Sequence, residues 1–254
     1  MFISKWSRLL WLFLLLSSLA LGFWLWATKQ TSTYRGTTGG PILYYVNTKK
    51  KAIALTFDDG PNPLYTEQIL RLLRIYQAKA TFFVLGKELI KHPRIGQKIL
   101  QQGSEIGNHG YRHLNLRAVN TQTAIQDMQK GSATIEKITG QLAKFFRPPF
   151  GNYTPKVLAA AIGSGETLTL WTMNKDTRDW ANPGVSTIAS IALHQTKPGD
   201  ILLFHDGGGN RLQTIEALAL ILPRLKAEGY QMVTLSHLER LGQHVHPHPL
   251  PVRT

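Results

Sequence analysis

Two adjacent aspartates, Asp58 and Asp59, close the apolar run Ala52–Phe57 and lead into Gly60-Pro61. At a strand end successive side chains point to opposite faces, so one carboxylate can hold a cation while its neighbour faces a nearby water. Asp-Gly-Pro is also ordinary turn chemistry. Farther on, His109 and His113 stand four residues apart. That spacing puts two imidazoles on one face of a helical turn, where they can grip one ion. Histidine pairs at this spacing also occur without a metal. Combined with Asp59, however, they make a two-histidine, one-carboxylate set that leaves positions open for water and substrate.

Three more segments carry reactive side chains. In Arg147-Pro148-Pro149-Phe150-Gly151 a stiff Pro-Pro turn can aim one guanidinium and one backbone N–H inward. Asp176-Thr177-Arg178-Asp179-Trp180 sets acids beside an indole, and Ile201–Asp206 puts His205 at the end of the most apolar run. Alone, these read equally as a surface loop, a capped turn and a satisfied buried histidine. All five segments, though, fall just after a predicted strand.

The elements that must position them alternate. Strands are predicted over Ala52–Phe57, Thr81–Leu85, Glu105–Asn108, Phe145–Phe146, Thr167–Met173, Asp200–His205 and Tyr230–Leu235. Helices are predicted over Pro63–Gln77, Gly86–Gln101, Thr121–Thr139, Pro155–Ala161, Val185–Gln195 and Leu212–Glu228. Such alternation implies parallel strands with helices outside. About seven units in one domain point to an α/β fold, a closed or nearly closed (β/α) barrel, with an open doubly wound sheet as the alternative. Both place ligands at the carboxyl ends of the strands.

In this order the five segments resemble those of the polysaccharide deacetylase family, carbohydrate esterase family four, from about Lys51 to Leu241. The resemblance implies a distorted (β/α) barrel and a divalent metal, commonly zinc, on Asp59, His109 and His113. It implies Asp58 as general base, oriented by Arg147. It implies His205 as the acid that protonates the departing amine, oriented by Asp179. The N–H of Phe150 would stabilise the oxyanion, and Trp180 and Leu203 would wall a small pocket for the acetyl methyl. Two positions depart from the family: Gly110 stands where Ser or Thr is usual, and Phe150 where Tyr is usual. The implied reaction is removal of N-acetyl groups from a polysaccharide. Peptidoglycan N-acetylglucosamine is favoured. Chitooligosaccharide, acetylxylan, or a catalytically silent carbohydrate-binding relative are the alternatives.

Composition sets the setting. The 254 residues include no cysteine, so thiolate metal sites and disulfides are excluded. Hydrophobic residues at 43% and charged residues at 17% are globular, not disordered, proportions. A net charge of +14 draws the chain to polyanions such as nucleic acid, anionic lipid or an acidic wall polymer. Leu9–Ala27 is almost wholly apolar, follows Lys5 and Arg8, and has the length of a membrane-spanning helix. Residues 1–28 are therefore expected to be an uncleaved anchor that leaves the domain outside the cytoplasmic membrane. A cleaved signal segment and secretion are the alternative. The anchor argues against nucleic acid as a partner. Residues 29–48 read as a linker, 49–241 as the catalytic domain of a monomer, and 242–254 as a disordered tail rich in His and Pro.

Overall fold

Every residue of Ala52–Asp58 is buried, which a strand attains only when both of its faces are covered. In the computed structural model, which describes residues 42–242, the covering comes from helices on one side and from the curled sheet itself on the other. The order is β1 (Ile42–Leu43), β2 (Ala52–Asp58), α1 (Tyr65–Ile75), β3 (Ala80–Val84), α2 (Gly86–Lys91), α3 (Pro93–Gln101), β4 (Glu105–Asn108) and α4 (Thr121–Thr139). It continues with β5 (Phe145–Phe146), α5 (Pro155–Gly163), β6 (Thr167–Thr169), α6 (Val185–Leu193), β7 (Ile201–His205), α7 (Leu212–Ala227), β8 (Gln231–Val233) and α8 (Leu235–Leu241).

The strands run β1-β6-β5-β4-β3-β2-β7, and every pair is parallel. β8 pairs with the first half of β2. The two outer edges approach each other through single bridges, Tyr45 with Asp200 and Asp176 with Leu203. The sheet is thus curled toward a barrel and fastened by isolated contacts, as a distorted (β/α) barrel requires. The alternation of side chains sorts the core. Ile53, Leu55, Phe57, Phe82, Leu202 and Phe204 face the helices, whereas Ala52, Ala54, Phe83, Phe145 and Ile201 face the interior. By the same alternation Thr56, Asp58, Leu203 and His205 turn inward. The β2–β7 register sets Thr56 against Leu203 and Asp58 against His205.

Four sequence expectations are corrected. The helix expected over Gly86–Gln101 is two helices, because His92 must leave helical geometry ahead of Pro93. The strand expected over Thr167–Met173 stops at Thr169; the carbonyls of Thr169 and Leu170 are taken by the Arg147 guanidinium at 3.4 and 2.8 Å. The last strand stops at Val233, since the Thr234 hydroxyl caps the unpredicted helix α8 by accepting the His237 N–H at 3.2 Å. The linker expected over 29–48 ends before Ile42, for β1 pairs with β6 and Val46 is wholly buried. The anchor of 1–28, residues 29–41 and the tail from 243 lie outside the described residues. Among the described residues no helix is long and apolar enough to cross a membrane.

Phe204 stacks on Phe57 with ring centroids 5.6 Å apart, just before the site-bearing end of β7. Phe204→Ala is expected to lower folding stability by about 3–5 kcal/mol, as large-to-small changes in a closed core do. Urea unfolding followed by tryptophan fluorescence measures it.

Candidate active site

The site lies at the carboxyl ends of β2, β4, β5 and β7. β2 ends on Asp58, and Asp59 already has left-handed backbone, φ 75°. This turn, more than strand alternation, separates the directions of the two carboxylates. Asp tolerates that conformation better than most side chains. The segment after β7 closes against it. A Cβ on Gly207 would sit 2.3 Å from the Asp59 carbonyl oxygen, and one on Gly208 would sit 2.3 Å from Asp59 Oδ2. Only bare backbone fits there.

The two histidines do not share a helical turn, contrary to the expectation from their spacing. After β4 the chain forms an irregular loop with left-handed backbone at Gly110 (φ 77°) and His113 (φ 65°). The buried Asp127 of α4 holds it: Oδ2 accepts the N–H groups of Tyr111 and Arg112 at 2.9 and 3.1 Å, and Oδ1 accepts Arg112 Nε at 2.8 Å. Gly110 is where the family pattern has Ser or Thr. In this loop a Cβ there would lie 2.9 Å from Asp127 Oδ2, on backbone that already disfavours side chains.

The loop delivers both imidazoles to one oxygen. His109 Nε2 lies 3.4 Å and His113 Nε2 3.1 Å from Asp59 Oδ1, and the ligand atoms of these residues lie within 4.8 Å of one another. His109 Nδ1 contacts the Arg147 carbonyl at 2.7 Å. A carbonyl only accepts, so the ring proton is on Nδ1 and the Nε2 lone pair faces the cluster. Asp59 Oδ1 is buried with no hydrogen bond of acceptable geometry, so electron-pair donors converge on an unsatisfied anion. Burial would raise the Asp59 carboxyl, but when His109 and His113 are protonated their hydrogen bonds and charge override it and hold the carboxyl far below the usual range. Burial would lower His109; Asp58, Asp59 and the Arg147 carbonyl raise it instead. Donors that attract positive charge so strongly fit a divalent cation of the kind bound by His and carboxylate ligands.

Beside this cluster stands a buried ion pair. Arg147 Nη1 donates to Asp58 Oδ1 and to the Thr56 hydroxyl, both at 2.8 Å. Asp58 Oδ2 remains turned toward His109, 3.8 Å from Nε2. Across the β2–β7 register, His205 Nδ1 donates to Asp179 Oδ1 at 2.7 Å. Asp179 is fixed in turn by the His205 N–H and the Thr214 hydroxyl, each 2.8 Å from Oδ2. Burial would lower the His205 pKa, but Asp179, with smaller help from Asp58 and Asp59, raises it to about 9. His205 therefore carries a proton at neutral pH and can give it up.

The remaining predicted residues border this core. Phe150, with left-handed backbone, packs edge-on against His113 at 4.6 Å between centroids. Trp180 is 55% exposed, on a short 3-10 turn Asp179–Ala181, and Leu203 is buried on the inner face of β7. Sequence reasoning missed Thr56, Asp127, Thr214 and Asp206. The wholly buried Asp206 accepts the Thr66 hydroxyl at 2.5 Å. Burial raises its carboxyl to about 7; the Thr66 bond opposes this and Asp59 and Asp58 add to it. The available signal was adjacency to His205, which does not say which way a side chain points.

The polysaccharide deacetylase family profile matches residues 45–167. A peptidoglycan-N-acetylglucosamine deacetylase of Bacillus cereus is 43% identical over 201 residues, covering 79% of this chain and 94% of the relative. A chitooligosaccharide deacetylase of Bradyrhizobium sp. is 33% identical over 200 residues, covering 74% of this chain and 90% of the relative. Among solved structures, that of the Bc1960 peptidoglycan N-acetylglucosamine deacetylase superposes with a TM-score of 0.75 at 34% identity, covering 80% of this chain and 94% of that one.

Two variants test the geometry. His113→Ala removes one converging donor and is expected to lose stoichiometric metal in elemental analysis. Asp179→Asn removes the charge that raises His205. Its pH profile of kcat/KM is expected to show the alkaline limb moved to lower pH, with a fall of about 10²-fold or more at the optimum.

Proposed function

Because this chain belongs to the polysaccharide deacetylase family, we propose that its substrate is peptidoglycan N-acetylglucosamine and that the five strand-end segments are its machinery. The protein is a hydrolase that removes N-acetyl groups from polysaccharide. The observation that carries the site reading is the meeting of Asp59, His109 and His113 between two oriented proton carriers, Asp58 on Arg147 and His205 on Asp179.

A divalent cation, for which zinc suits the donor set, would be held by Asp59, His109 and His113; when bound it polarises the acetyl carbonyl and makes water more acidic. The residues do the rest. Asp58 takes a proton from the attacking water, and its Arg147 bond keeps one oxygen fixed while the other faces the reaction. Water oxygen bonds to the acetyl carbon. The C–N bond then breaks as His205 gives its proton to the nitrogen, releasing acetate and a free amine. Asp179 stabilises the charged imidazole before that step and holds the ring in place. The N–H of Phe150 is assigned to the developing oxyanion. Trp180 and Leu203 are assigned to the walls that admit an acetyl methyl and resist bulkier acyl groups.

The preference for peptidoglycan rests on the likeness to the Bacillus cereus enzyme and on the expected setting. The apolar run Leu9–Ala27 and the charge of +14 support a domain tethered outside the membrane near an acidic wall. The sequence retains Asp58, Asp59, His109, His113 and His205, which favours an active enzyme over a silent binding relative.

Asp58→Asn keeps the shape of the site and removes the base. It is expected to retain metal and to lose about 10²–10⁴-fold in turnover. Near-normal activity would reject the assignment. Acetate release from peptidoglycan, chitooligosaccharide and acetylxylan, compared with and without chelator, tests the substrate. The largest kcat/KM is expected on peptidoglycan, and a larger value on either of the others would overturn the choice.

A further inference from the structure

The loop that carries both histidines begins one residue after Asn108, whose buried amide is gripped from behind. Its Nδ2 lies 3.3 and 3.2 Å from the two carboxylate oxygens of Glu166, 2.9 Å from the Ser132 hydroxyl and 3.1 Å from the Met128 carbonyl. Ser132 in turn donates to Glu166 Oε1 at 2.7 Å. The other end of the amide, Oδ1, accepts the Gly110 N–H at 2.8 Å. Asn108 and Glu166 are both buried, and their side-chain hydrogen bonds go to groups other than Asp59, His109 and His113. Gly131 of α4 completes the fit, because a Cβ there would lie 2.3 Å from Asn108 Oδ1 and 2.8 Å from the Gly110 carbonyl carbon.

An ionised carboxylate only accepts hydrogen bonds. It therefore admits the amide of Asn108 in one orientation, NH₂ toward Glu166 and oxygen toward Gly110. The reversed amide would set oxygen against carboxylate and N–H against N–H. Burial outweighs the Ser132 and Asn108 donors and leaves the Glu166 carboxyl raised to about 7, so that it is mainly ionised at pH 8. We propose that Glu166 is a positioning residue for the metal loop: through the side-chain amide of Asn108 it fixes the left-handed turn at Gly110 that brings His109 and His113 onto one ion. The proposal rests on the reading of Asp59, His109 and His113 as metal ligands. It adds a residue outside the five strand-end segments, placed just ahead of β6.

Glu166→Gln preserves the volume and turns one acceptor into a donor facing the Asn108 NH₂. The test measures Zn²⁺ affinity of the full chain by competition with a chromophoric chelator at pH 8, and the visible spectrum of the Co²⁺-loaded protein. The expected result is a loss of Zn²⁺ affinity of about 10–100-fold and a changed Co²⁺ spectrum, with the thermal midpoint close to wild type. The double variant Asn108→Ala/Glu166→Gln should bind no more weakly than Asn108→Ala alone, because the effect passes through that amide. Affinity within twofold of wild type and an unaltered Co²⁺ spectrum in Glu166→Gln would overturn the proposal. If that variant does not fold, Ser132→Ala carries the test, with weakened Zn²⁺ binding expected and unchanged binding overturning it. A wild-type chain that binds neither ion would overturn the metal reading itself, and the positioning role with it.

Discussion

The Arg147 guanidinium is wholly buried inside the curled sheet, where an unanswered charge would be intolerable. Nη1 meets Asp58 and Thr56, Nη2 meets the Leu170 carbonyl, and Nε leans toward the Thr169 carbonyl. Its plane lies over the Phe83 ring, 4.1 Å from guanidinium carbon to centroid. One side chain thereby joins β2, β5 and the end of β6. The Arg147 backbone extends the reach: its N–H donates to the Asn108 carbonyl and its carbonyl takes the His109 ring proton. The proposed base and one proposed metal ligand are thus referenced to the same residue. Buried pairs of this kind contribute little net stability compared with an apolar filling, but removing one partner is severe. Their value here is geometric.

The opposite wall is built on the same logic with different parts. Asp179 accepts three hydrogen bonds from β7 and α7, and the charge left over raises His205. The carboxylates Asp58 and Asp179 are proposed for different tasks because their partners differ. One faces a permanent cation that only orients it. The other faces an imidazole that can release its proton. Glycines at 207 and 208 let the segment after β7 close on the backbone and carboxylate of Asp59, one of the three proposed metal ligands.

Helix α4 supplies the scaffold for the least regular part of the site. Asp127 clamps the outer turn of the histidine loop, and Gly131 and Ser132 accommodate its inner end around Asn108. The loop contains left-handed residues whose cost, of order 1–3 kcal/mol each outside glycine, must be offset by such contacts. This explains why Gly110 is compatible with the fold even though the family pattern has a hydroxyl residue there.

Residue order alone determined the parallel α/β alternation, the strand ends at which reactive residues cluster, and the identity of the Asp59, His109 and His113 set. The first two follow from local periodicity and from the rule that parallel sheets carry sites at their carboxyl ends, and the third from residue types at strand ends together with the family resemblance. Thr121–Thr139 matches the expected bounds because Asn120 caps its start, left-handed Gly140 ends it and apolar residues recur on one face; Glu105–Asn108 and Phe145–Phe146 match as well. Tertiary structure alone decided the rest. β1 is too short to show a period, and β6 loses its length to a guanidinium that arrives from another strand. The histidine pair reads as a helical turn by spacing, yet an aspartate on α4 and an asparagine held by Glu166 fold it otherwise. These partners are distant in the chain, and no local pattern encodes which buried carboxylate will meet which backbone N–H.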